Sequence, residues 1–121
     1  SVANLRDLEA KVIRAMGMRG ARYIHIHVPC PLGWGSAPAD TIKVARMAVE
    51  SGLFPLFEAE HGEVTSRYTL RRPVPVTDYL KLQRRFAHLF GKTPDTGTLA
   101  SIQAMADRNI RVFGLQGQEA V

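Results

Sequence analysis

Tyr23-Ile24-His25-Ile26-His27-Val28-Pro29-Cys30-Pro31-Leu32-Gly33-Trp34-Gly35 is the stretch on which the fold turns. Its first half alternates, with Ile24, Ile26 and Val28 on one side and Tyr23, His25 and His27 on the other. That period of two predicts a strand over residues 22–28. Its second half holds the chain's one cysteine, Cys30, between two prolines and ahead of a glycine-bracketed tryptophan. Each proline fixes its own φ, removes a backbone donor and restrains the residue before it. The backbone around the thiol is therefore stiff, and a stiff backbone aims a side chain.

Outward from this stretch, helices and strands alternate. On the amino-terminal side, Asn4 is placed to cap a helix over residues 5–16, with Asp7 at the reciprocal position. Leu5, Leu8, Val12, Ile13 and Met16 form its apolar face. On the other side, residues 29–38 read as a proline- and glycine-rich loop. A second helix is expected from Asp40 or Thr41 to Ser51, with Ile42, Val44, Ala45, Ala48 and Val49 inward and Gly52 as its stop. Residues 53–60 read as a strand interrupted by Pro55, and His61-Gly62 turns into a weaker strand over 64–70. Pro75 opens a helix expected to reach Phe90, carrying Tyr79, Leu80, Leu82, Phe86, Leu89 and Phe90. Residues 92–97 read as linker. Thr98 is expected to cap a last helix with Leu99, Ile102, Met105, Ala106 and Ile110 inward, and residues from Gly114 onward read as a tail.

This order is that of an α/β unit with parallel strands. Two strands and a hairpin leave such a core open on one side, so the chain reads as the C-terminal part of a larger α/β domain. Its 121 residues are 45% apolar, enough for a core and against wholesale disorder. No apolar run approaches the roughly 20 residues that cross a bilayer, so no membrane role is expected. No charged-then-apolar leader opens the chain. A single cysteine makes no intrachain disulfide, which fits a reducing, cytoplasmic setting.

The net charge of +5 raises nucleic acid as a partner. Arg67, Arg71, Arg72, Lys81, Arg84 and Arg85 carry much of it, with only Tyr68 and Tyr79 to interleave, so a solvated or subunit-docking face is preferred and no nucleic acid is expected. His25 and His27 with Cys30 have half of a zinc pattern, set against a strand face packed on a neighbour. Glu58 and Glu60, two apart on a strand, suit either an acid/base pair or solvation and pairing to arginine. Cys30 itself, taken alone, reads as a small buried hydrophobe. No charge partner within its loop marks it as a nucleophile. Trp34 either plugs the loop into the core or walls a site from water.

Taken together, Tyr23-Ile24-His25, Pro29-Cys30-Pro31-Leu32-Gly33-Trp34, the helix through Thr41-Ile42, Ala45-Arg46 and Ala48-Val49-Glu50-Ser51-Gly52, the strand Phe54-Pro55-Leu56-Phe57-Glu58 with Glu60-His61-Gly62, and the helix Pro75-Val76-Thr77-Asp78-Tyr79-Leu80-Lys81-Leu82-Gln83 with Arg85-Phe86 and His88-Leu89 resemble one family. It is the thiamine-diphosphate-binding beta subunit of the 2-oxoacid:ferredoxin oxidoreductases, the pyruvate:ferredoxin oxidoreductase group. The resemblance covers residues 1–90.

The resemblance implies the C-terminal portion of a thiamine-diphosphate-binding, doubly wound parallel-sheet domain over residues 1–90, with a short edge hairpin. Residues 91–121 then form linker, terminal helix and tail. It implies a part of a multisubunit enzyme that oxidatively decarboxylates pyruvate or a related 2-oxoacid with coenzyme A and passes electrons through iron–sulfur clusters to ferredoxin. Cys30 would be one ligand of the [4Fe-4S] cluster nearest the thiamine. The other three cysteines, and the Gly-Asp-Gly and Asn signature for Mg²⁺ and the diphosphate, are not in these residues. The segment alone is therefore expected to be inactive, and no catalytic residue is assigned in it. A small basic binding module with a buried structural cysteine is the alternative.

Overall fold

The computed structural model describes residues 1–117. Helix α1 runs Leu5–Gly17, α2 is the single turn Pro31–Trp34, and α3 spans Thr41–Glu50 after a 3-10 turn at Pro38–Asp40. Strands β1 (Phe57–Glu60) and β2 (Glu63–Arg67) follow, then α4 (Val76–Lys81), a 3-10 stretch Arg84–Phe90 and α5 (Thr96–Val112). No helix among the described residues is long and apolar enough to cross a membrane.

Two apolar clusters hold these elements together. Val44 and Ala48 of α3 meet Val76, Tyr79 and Leu80 around α4, with Leu89 and with Ala106 of α5. The second cluster joins Val49, Leu56, Leu70, Ile110 and Leu115. Between them α5 approaches the end of α3 closely. Gly52 has φ +81°, and a Cβ there would stand 2.7 Å from Ile110 Cγ1. The expected helix stop is thus also the contact that lets α5 in.

The sheet departs from expectation. Residues 22–28 carry no regular secondary structure and pair in no ladder; Val2 N–H donating to the His27 carbonyl at 3.2 Å ties them to the rest. A strand needs a neighbour to satisfy its amides and carbonyls, and none lies alongside among the described residues. The ladder that forms is local and antiparallel, β1 on β2, closed by His61 and Gly62 at φ 52° and 87°. Both central residues in the left-handed region give the turn type that matches strand twist. Beyond an isolated parallel bridge between Leu70 and Gln116, no parallel pairing occurs among the described residues. The architecture is mixed helix with a small two-stranded sheet, and the doubly wound parallel sheet is not formed within it.

Several boundaries also move. The strand expected over 53–60 begins only at Phe57, beyond Pro55, and that over 64–70 ends at Arg67. The helix from Pro75 breaks after Lys81, because Gln83 is extended at φ −129°. The cap of α5 is Asp95, whose carboxylate accepts from Thr98 N–H at 2.9 Å and from the Thr98 hydroxyl at 2.7 Å. Asn4 makes no side-chain cap, and Asp7 bonds Lys11 instead. Ile42 and Met105 are exposed, as are Leu5, Ile13 and Met16 of α1. The expected tail is anchored at its start: Leu115 is buried, and its carbonyl accepts from Leu70 N–H at 2.7 Å. Residues 118–121 lie outside the described residues.

Candidate functional site

The expected loop after Val28 is a helical turn with the thiol at its head. Pro31 sits at the first position of α2, which its fixed φ favours. Trp34 N–H closes the turn onto the Cys30 carbonyl at 2.9 Å, and Gly35 ends it in the left-handed region at φ +68°. Cys30 is exposed. Its Sγ accepts a bond from Gly33 N–H at 3.4 Å. A Cβ on Gly33 would itself lie 3.4 Å from Sγ, at van der Waals contact. The thiol is exposed, and so is not the buried hydrophobe of the alternative reading.

Trp34 ties this turn to the rest. The Arg85 guanidinium carbon lies 3.9 Å from the centre of its ring, a cation–π contact. Arg85 is held in turn: its Nε donates to Gln83 Oε1 at 2.9 Å, and buried Gln83 donates through Nε2 to the Tyr79 carbonyl at 2.9 Å. Arg84 N–H donates to the Gly35 carbonyl at 3.2 Å. The segment after α4 therefore grips the end of the cysteine turn twice. Sequence reading missed this. Its one signal is a glutamine and two arginines where an apolar helical face should continue.

The two histidines lie on aromatic neighbours. His25 meets Phe54 edge-on at 5.2 Å between ring centres, and His27 contacts Phe54 at 4.9 Å and Trp34 at 5.7 Å. His27 is half-buried, and its pKa is lowered to about 4, first by burial and further by neighbouring positive charge that includes Arg85. A neutral ring packed on aromatics is what the geometry holds. Among the described residues no group of three His, Cys, Asp or Glu side chains is placed to hold a metal, so the zinc pattern does not close.

Glu58 forms an ion pair with Arg14 of α1, while Glu60 faces Glu63 across the hairpin. These placements are those of arginine pairing for Glu58 and of an exposed strand position for Glu60. Lys81 lies over Phe90 and Arg85 over Trp34 and Phe86. These cations are spent on aromatic faces of their own chain.

A groove of about 640 Å³ is lined by residues of α1, by residues 21–25 and by residues 54–60. Leu8, Ile24, Phe54 and Phe57 line it together with the Arg14–Glu58 pair. It adjoins the unpaired segment 22–28, whose Ile24, Ile26 and Val28 remain exposed.

As to a cluster, Cys30 has the right chemistry and presentation for one ligand: a thiol sulfur, accessible, on a restrained turn. The described residues supply no companion thiol.

No family model matches the chain. Pyruvate synthase subunit PorB of Methanosarcina barkeri is 42% identical over 116 residues, which is 96% of this chain and 39% of that protein. The PorB subunit of Methanocaldococcus jannaschii is 38% identical over 109 residues, 90% of this chain and 35% of the relative. Ketoisovalerate oxidoreductase subunit VorB of Pyrococcus abyssi is 37% identical over 91 residues, 74% of this chain and 29% of the relative. The chain spans between 29% and 39% of the length of these three relatives.

Proposed function

Because the chain belongs to the family of PorB- and VorB-type beta subunits of the 2-oxoacid:ferredoxin oxidoreductases, we propose that it forms part of such an enzyme. The reaction is oxidative decarboxylation of pyruvate or a related 2-oxoacid to an acyl-coenzyme A, with ferredoxin or a similar protein as electron acceptor. The setting is cytoplasmic, alongside the other subunits of the complex. When bound, thiamine diphosphate with Mg²⁺ supplies the decarboxylation chemistry, and a [4Fe-4S] cluster supplies electron storage and transfer.

Within that enzyme Cys30 is one ligand of the cluster nearest the thiamine. Support comes from its geometry. The thiol is accessible, its backbone is fixed by Pro29 and Pro31, and the Gly33 amide already points at the sulfur at 3.4 Å. A pre-positioned ligand loses little conformational freedom on binding. An N–H donor to a ligating sulfur stabilises the added negative charge of reduction and so raises the potential. Trp34, the last residue of the turn, is held under the Arg85 guanidinium.

Cys30→Ala in the assembled enzyme is the test. Expected are a loss of cluster iron and loss of one electron paramagnetic resonance signal, with the subunits still associated. Unchanged iron content and an unchanged spectrum would overturn the assignment.

A further inference from the structure

Arg85 is an arginine with unusually specific moorings for a solvent-exposed side chain. Its guanidinium lies 3.9 Å from the Trp34 ring centre and 4.7 Å from that of Phe86. Its Nε is committed to Gln83 Oε1 at 2.9 Å, and Gln83 is itself 1% exposed. The chain of contacts runs from the Tyr79 carbonyl through Gln83 and Arg85 to Trp34, whose amide bonds the Cys30 carbonyl at 2.9 Å. No carboxylate pairs with Arg85 among the described residues. A full positive charge is therefore fixed against the turn that carries the thiol, without an anion of its own to neutralise it.

From this we infer that Arg85 is a positioning and potential-setting residue for whatever redox group Cys30 ligates. It holds Trp34, and through it the Cys30 turn, and its charge favours the more negative, reduced state of that group. The inference rests on the reading of Cys30 as a cluster ligand. Charge beside a cluster and exclusion of water are two of the levers that set its potential. Stacking a guanidinium on an indole face supplies the first and fixes where it lies.

The experiment is a redox titration of the assembled enzyme followed by electron paramagnetic resonance, comparing wild type with Arg85→Met, Arg85→Lys and Trp34→Leu. Arg85→Met keeps much of the packing and loses the charge; its cluster should retain iron and shift to a lower midpoint potential. Arg85→Lys keeps the charge over the ring and should restore most of that shift. Trp34→Leu removes the platform and should alter the line shape of the same signal. A potential and spectrum in Arg85→Met equal to wild type would overturn the proposal. So would an equal shift in Arg85→Met and Arg85→Lys, which would mark a packing role alone. If Arg85→Met does not assemble, Arg85→Lys against Trp34→Leu decides: wild-type potential and line shape in both overturns it. Failure of the underlying reading looks different, since Cys30→Ala would then leave iron and spectrum intact whatever the Arg85 variants do.

Discussion

Gly35 and Arg84 meet without room for a methyl group between them. Arg84 N–H donates to the Gly35 carbonyl at 3.2 Å, and a Cβ on Gly35 would lie 2.8 Å from Arg84 Cβ. Gly35 also sits at φ +68°, where other residues are strained. Two independent constraints thus fix this position, and both bear on where the cysteine turn docks.

Gly35→Ala should therefore do more than cost stability. Left-handed strain and the overlap together predict a loss of about 2 kcal/mol. The segment of Arg84 and Arg85 has to retreat, which loosens Arg85 from Trp34. A thermal melt reads the first effect, and the cluster's spectrum in the assembled enzyme reads the second. A variant as stable as wild type would contradict the close contact.

Gly52 and Gly62 offer a matched pair. Both have positive φ, at 81° and 87°, but a Cβ on Gly52 would strike Ile110 and Ala106 while one on Gly62 would meet open space. Gly62→Ala should cost about 1 kcal/mol from backbone strain alone. Gly52→Ala should cost about 1–3 kcal/mol more, because α5 has to move off the end of α3. Equal losses in denaturant melts would show that α5 does not approach as described.

His27 predicts a pH dependence of definite sign. Its folded pKa, about 4, lies below the ordinary 6.5, so the unfolded chain takes up the proton first. Its contribution to stability is complete above pH 6.5 and is lost as pH falls toward 4, levelling off below that. Wild type should melt at a progressively lower temperature from pH 7 to pH 4.5, and His27→Gln should flatten part of that fall. Parallel pH profiles for the two proteins would place His27 in water and not against Trp34 and Phe54.

The helices were legible wherever a repeating apolar face met a recognisable end. Ala48 and Val49 with Gly52, and Ala106 with Ile110, are where a 3.6-residue period places them, and they are buried. The hairpin turn at His61-Gly62 was legible for the same local reason. Segment 22–28 was not, because its alternation describes half of a pairing and no ladder partner for it is found among the described residues. Gln83 explains the other failure. A continued helix would give the Tyr79 carbonyl to the Gln83 amide; here the Gln83 side chain takes it and the amide bonds Leu80 instead. Such side-chain competition with the backbone leaves no periodic trace. The cysteine motif was legible as a family resemblance, which agrees with the PorB and VorB relatives. Its one-turn helix, with the sulfur accepting from Gly33, was not, since proline and glycine fixed only that the chain turns there.

The clasp between Leu70 and Leu115 has a kinetic consequence. The hairpin closes over two residues and forms in about 1–10 μs as an isolated event. The Leu70–Leu115 bond instead joins points about 45 residues apart, and closing so long a span is entropically costly before its contacts form. The clasp should therefore be a late event, formed after α4 and α5 have docked. Leu115→Ala would then speed unfolding several-fold and leave the folding rate nearly unchanged. Folding slowed as much as unfolding is hastened would instead place Leu115 in the nucleus, and the order of assembly would have to be reversed.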